Sequence, residues 1–86
     1  MCTTITNTTT VRGAGKGAVG WFDVSTATVA YDHPSHGAAE HALLLDFANY
    51  DLGTNYRVAL ELDLDSGRAL LEQLRRVIEE AEAAGV

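Results

Sequence analysis

The chain has one cysteine, one proline and six basic residues among its 86 positions. A lone Cys2 excludes an internal disulfide and fits a reducing compartment. Six basic residues against twelve acids leave a formal net charge of −6. Nucleic acid and anionic membrane surfaces both require a positive footprint, so neither is an expected partner. No apolar run reaches the ~20 residues that span a bilayer. The Thr-rich start carries no basic-then-apolar leader pattern, and the expected location is the cytoplasm. A chain this short is expected to form a single domain, 1–86, with a modest core. Such domains gain stability from disulfides, a metal or oligomerisation, and here the first is ruled out.

What the chain does contain is β-branched residues, then glycine, then one helical pattern. Residues 2–12 are dominated by Thr, Ile and Val, which suit a pleated strand. So polar a strand is expected at a sheet edge. Residues 13–20, Gly-Ala-Gly-Lys-Gly-Ala-Val-Gly, read as a glycine-rich turn. It lacks the Walker spacing, and no helix follows it, so a phosphate cradle is the weaker reading beside a plain hairpin connection. Residues 21–33 form a second strand whose apolar parity slips midway, from Phe22 and Val24 to Ala27, Val29 and Tyr31. A bulge near Ser25-Thr26 would reconcile the halves. Residues 40–50 form a third strand. A turn through Asp51-Leu52-Gly53-Thr54-Asn55 leads to a fourth, Tyr56 to Leu62.

From about Asp65 the apolar period becomes helical: Leu70, Leu71, Leu74, Val77, Ile78 and Ala81 share one face. Asp63, Asp65 or Ser66 can cap its start. Glu72 with Arg76, and Arg76 with Glu80, are expected as pairs four apart. The expected fold class is α+β: a four-stranded antiparallel meander with one C-terminal helix, β-β-β-β-α. The helix can cover one face of the sheet. Yet the third strand is apolar on both faces, with Leu43, Leu45 and Phe47 on one and Ala42, Leu44 and Ala48 on the other. A strand with one wet face should alternate. A second copy covering the other face, in a two-fold homodimer, is therefore expected. The alternative is a face that lines a small-molecule pocket, with Tyr31, His33 and Trp21 as its candidate residues.

All three histidines fall in residues 31–41, Tyr-Asp-His-Pro-Ser-His-Gly-Ala-Ala-Glu-His. If His33 pairs opposite His41, then Tyr31 faces Leu43, Val29 faces Leu45 and Ala27 faces Phe47. That register keeps the apolar set together. Opposite Cβ atoms lie about 4.5–5.5 Å apart, which suits two imidazoles on one ion. His36 can fold over the same point, and Asp32 and Glu40 can orient the rings or ligate in their place. Cys2 is a further candidate ligand. The expectation is a site of His33, His36 and His41 for a divalent transition metal, namely zinc, iron or copper. The opposing reading is that histidines at a hairpin tip are ordinary polar surface.

Other residues carry plainer expectations. Trp21 and Phe22 read as core or dimer interface rather than a stacking platform. Asp46, between Leu45 and Phe47, is expected to lie at a sheet edge, to pair with Arg57 across the next strand, or to contact a second copy, since a buried unpaired carboxylate is costly.

Met1-Cys2-Thr3, Gly13-x-Gly15-Lys16-Gly17, Gly20-Trp21-Phe22, Tyr31-Asp32-His33-Pro34-x-His36 and Glu40-His41 together resemble a family of small bacterial proteins known as a domain of unknown function. The resemblance covers nearly the whole chain, and its most specific part is the histidine stretch. It implies no activity and transfers no residue role. Two functional expectations stand. One is a small metal-binding domain, with a role as metalloenzyme or biosynthetic accessory protein. The other is a non-catalytic homodimeric interaction module whose histidines are structural.

Overall fold

The Thr-rich start and the glycine-rich stretch form one long strand rather than a strand and a turn. In the computed structural model, which describes residues 5–37 and 40–85, β1 runs Ile5–Gly17. The turn shrinks to Ala18-Val19, between the paired Gly17 and Gly20. Gly20 takes φ +95°, a left-handed conformation that glycine adopts without strain. The glycine-rich turn expected over 13–20 is thus mostly pleated strand. β2 spans Gly20–Asp32, β3 Ala42–Ala48 and β4 Arg57–Leu62. All neighbours are antiparallel in the order β1-β2-β3-β4, a meander with the polar β1 at one edge. A single helix, α1, Leu64–Ala83, follows.

The parity slip in β2 is resolved at the expected place, but the extra residue comes from β1. Val11 and Arg12 stand opposite the single Ser25, between the pairs Thr10–Thr26 and Gly13–Val24. Beyond this bulge Phe22 and Val24 join the face that carries Phe47 and Val58. Bulges increase local twist, and here the glycine end of β1 curls over toward β4. A Cβ on Gly17 would lie 2.7 Å from the Arg57 carbonyl oxygen, and one on Gly15 would lie 3.0 Å from Val24. Only glycine permits that approach. Beneath it Phe22 is 6% exposed and meets Tyr56 edge-on at 5.8 Å.

The helix behaves differently. Asp63 caps it, accepting a hydrogen bond from the Ser66 backbone N–H at 2.7 Å. That bond holds the Asp63 carboxyl below its usual range. Its main sheet contact is at Gly67, whose missing side chain makes room for Leu43. From there the helix carries its stripe away: Leu71, Leu74, Val77 and Ile78 are all more than half exposed, and no residue of α1 is buried. The expectation that the helix would cover one sheet face is not met, and Val29 and Leu60 remain exposed on β2 and β4. The ion pairs also differ from expectation. Arg75, not Arg76, bridges two acids, Glu72 and Glu79.

Two global measures agree with this open arrangement. The chain exposes 6537 Å², whereas a compact monomer of 9.2 kDa exposes about 4,900 Å². The radius of gyration is 14.6 Å, against roughly 12 Å for a compact domain of this length.

Candidate functional site

Two places gather side chains with functional potential: the β2–β3 connection and the groove between sheet and helix. The strand register is the expected one, with Tyr31 opposite Leu43, Val29 opposite Leu45 and Ala27 opposite Phe47. It brings His33 and His41 together just beyond the last pair, Asp32–Ala42. Their rings stack with centroids 4.7 Å apart at 30°, and His41 stacks in turn on Tyr31 at 5.4 Å and 20°. The His33 Nδ1 lies 2.7 Å from the Glu40 carbonyl oxygen. A carbonyl only accepts, so Nδ1 donates, and in the neutral ring the lone pair resides on Nε2. The Asp32 carboxylate accepts the His33 backbone N–H at 2.7 Å. The Glu40 carbonyl thus orients the His33 ring, while the Asp32 carboxylate holds the His33 backbone.

His36 does not join that pair. Its side chain is 92% exposed and its Nδ1 lies 4.0 Å from Glu61 on β4. Among the described residues no group of three His, Cys, Asp or Glu is arranged to hold a metal. Cys2 lies outside the described residues. Trp21 sits near the other end of β2 from Tyr31, ten residues or ~33 Å along the strand, and is 71% exposed. The structure does not bring Trp21 and Tyr31 into one pocket, nor does it place Trp21 in the core.

Glu61 is the residue that sequence reasoning missed. Its carboxylate accepts three consecutive backbone N–H groups, from Ser35 at 2.6 Å, His36 at 3.0 Å and Gly37 at 3.1 Å. Those bonds, Ser35's foremost, hold the Glu61 carboxyl below its usual range. The loop after Pro34 therefore forms a cradle of N–H groups that the chain's own carboxylate fills. A second polar cluster lies on the same face. Asp46 accepts from Arg57 Nε at 3.0 Å, one of the partners expected for it, and also from the Tyr50 hydroxyl at 3.1 Å. Donating to that carboxylate raises the Tyr50 phenol above its usual range. A shallow cleft of about 490 Å³ runs between His36, Glu61, Asp46 and Arg57.

The apolar groove is on the opposite face. Val29, Leu43, Leu45 and Leu62 form its floor, and Leu70, Leu71 and Leu74 of α1 form its wall, around about 390 Å³. Among the described residues, Arg68 is its one charged lining residue. Together with Val77 and Ile78 farther along α1, the groove gathers most of the exposed aliphatic side chains of the helix.

The family-model comparison covers the whole of this arrangement, from β1 to the end of α1. The chain belongs to a family of unknown function, DUF6295, matched over residues 1–86. No curated protein and no solved structure matches it. The histidine stack, the Glu61 cradle and the open helix stripe of this DUF6295 member must therefore be read from their own chemistry. No helix of the described residues is long and apolar enough to cross a membrane.

Proposed function

We propose that this protein is a homodimeric interaction module, in which a second copy covers the groove and the exposed stripe of α1. The observation that carries this reading is the helix itself: twenty residues, an aliphatic stripe, and no buried position. An isolated helix draws most of its stability from packing its apolar face, and here that packing must come from another chain. The surface in excess of a compact monomer is about 1,600 Å². Stable homodimers bury roughly 1,000–2,500 Å² per chain, so the excess is of the size a second copy removes. The Glu61 cradle and the Asp46–Arg57–Tyr50 cluster then serve the module by fixing the opposite face. The test is the dependence of the melting temperature on protein concentration. A dimer that folds as one unit melts higher as concentration rises. A melting temperature unchanged over a hundredfold range, at a one-chain native mass, would sink the proposal.

A second reading has one specific observation in its favour. His33 and His41 are paired by register, and the Glu40 carbonyl fixes His33 with Nε2 as the basic nitrogen. A backbone-oriented imidazole of this kind is a common feature of metal ligands. A zinc, iron or copper ion would take these two nitrogens and draw further ligands from His36, Cys2 or a second copy. Titration of untagged protein with Zn²⁺ checks it. Equal uptake by wild type and a His33→Ala/His41→Ala variant would dismiss it.

A further inference from the structure

We infer that the second copy docks helix to helix in the antiparallel sense, so that the C-terminal half of its α1 lies in this chain's groove and Glu82 of the partner subunit faces Arg68. The inference rests on the dimeric reading above and adds its geometry. The stripe has a repeat of seven: Gly67, Leu74 and Ala81 form its centre line, Leu70 and Val77 one shoulder, Leu71 and Ile78 the other. Its first half already walls the groove, from Gly67 to Leu74. Its second half, Val77 to Ala81, runs on past the groove lining with Val77 and Ile78 exposed. Each chain thus owns an open groove and a projecting apolar end. A two-fold axis near the middle of α1 fills both at once and closes the assembly at two chains.

Charge selects the orientation. The last turn of α1 has no basic residue, and Glu79, Glu80 and Glu82 there oppose the negative end of the helix dipole. An antiparallel neighbour supplies what that end lacks. A two-fold axis perpendicular to the helices sets like flanks together. The flank beside Leu71 and Ile78 carries Arg68, Arg75 and Glu82. Arg68, paired among the described residues with the exposed Asp65 at 2.9 Å, then meets the partner's Glu82 at each end. The two Arg75 side chains approach near the axis, where Glu72 and Glu79 already neutralise each of them. A parallel pairing would instead bring the two acidic ends side by side.

Disulfide trapping in a Cys2→Ser background tests the geometry. Arg68→Cys and Glu82→Cys chains are co-expressed or expressed singly, then oxidised, with native mass and circular dichroism recorded alongside. Antiparallel docking predicts a linked dimer from the mixture, at least tenfold more than from either variant alone. Preferential linkage of Arg68→Cys or Glu82→Cys to itself would overturn the orientation in favour of a parallel pair. A two-chain native mass with no linkage in any combination would overturn the helix pairing while leaving the dimeric module standing. A one-chain mass for the unsubstituted protein would remove both. Charge exchange gives an independent readout. Arg68→Glu and Glu82→Arg should each weaken association about tenfold, and mixing the two should restore it; failure of the mixture to recover would count against the contact.

Discussion

The two ends of this sheet solve the same problem in opposite ways. At the glycine end, β1 bends through the bulge at Val11-Arg12 and lays Gly15 and Gly17 against Val24 and Arg57. Phe22 and Val24 are buried by the chain's own strands. At the helix end, Val29, Leu43, Leu45 and Leu62 lie under a helix that touches the sheet mainly at Gly67 and then leaves it. The first end closes by backbone approach, which needs glycine. The second makes one such approach, at Gly67, and is otherwise lined mainly by large aliphatic side chains, which hold strands and helix apart. The chain closes the first core alone, and on the dimeric reading proposed above a second copy closes the other.

Substitutions at the two ends should separate these regimes. The largest effect is expected from Leu74→Glu with Ile78→Glu. Placing two carboxylates in the docking surface should abolish association, and light scattering should report a single chain. If the same variant stays dimeric, the helix end is not the interface. Gly17→Ala comes next. It forces a Cβ onto the Arg57 carbonyl and should cost about 1–3 kcal/mol in denaturant melts. It should leave the association constant of the folded protein intact, since it acts at the self-closed end.

A smaller effect is expected at Glu61, which fixes the face opposite the groove. Its carboxyl is held below the ordinary value, so its contribution is complete above that value. It is lost as pH falls through the lowered one. Wild type should melt higher than Glu61→Gln at neutral pH, and the two curves should converge in acid. Amide exchange at Ser35, His36 and Gly37 should accelerate in the variant. The smallest effect belongs to Tyr50→Phe. The Tyr50 hydroxyl is an exposed partner of Asp46, which keeps Arg57, so the loss should be roughly 0.5 kcal/mol or less. Ultraviolet titration should find the Tyr50 phenol ionising above its usual range in wild type, and returning toward it in Asp46→Asn.

Much of this was legible in the residues. The register that sets His33 opposite His41 also keeps the apolar sets of β2 and β3 together, because a one-residue slip would turn Tyr31, Val29 and Leu43 to the wrong face. That register carries the His33–His41 pair with it, while the approach of Arg57 to Asp46 depends on the separate β3–β4 pairing. The long-range approach of β1 to β4 was not legible. Glycine at 13, 15 and 17 permits a turn and a tight strand crossing equally, and only the position of β4 decides between them. The cradle around Glu61 was hidden for a related reason: backbone N–H groups carry no sequence signature. His36 was expected beside the other two histidines because it is near them in sequence. Pinning of 35–37 by Glu61 instead carries it toward β4. The exposed helix could not be foreseen either, since helical periodicity says that a face will be covered but not by which chain.

The native mass of the unmodified protein in solution tests the central claim most directly. Sedimentation equilibrium at micromolar concentration should return twice the 9.2 kDa of one chain, with no concentration of monomer detectable until the protein is strongly diluted. A mass of 9.2 kDa under those conditions, in protein whose circular dichroism retains the helix, would contradict it.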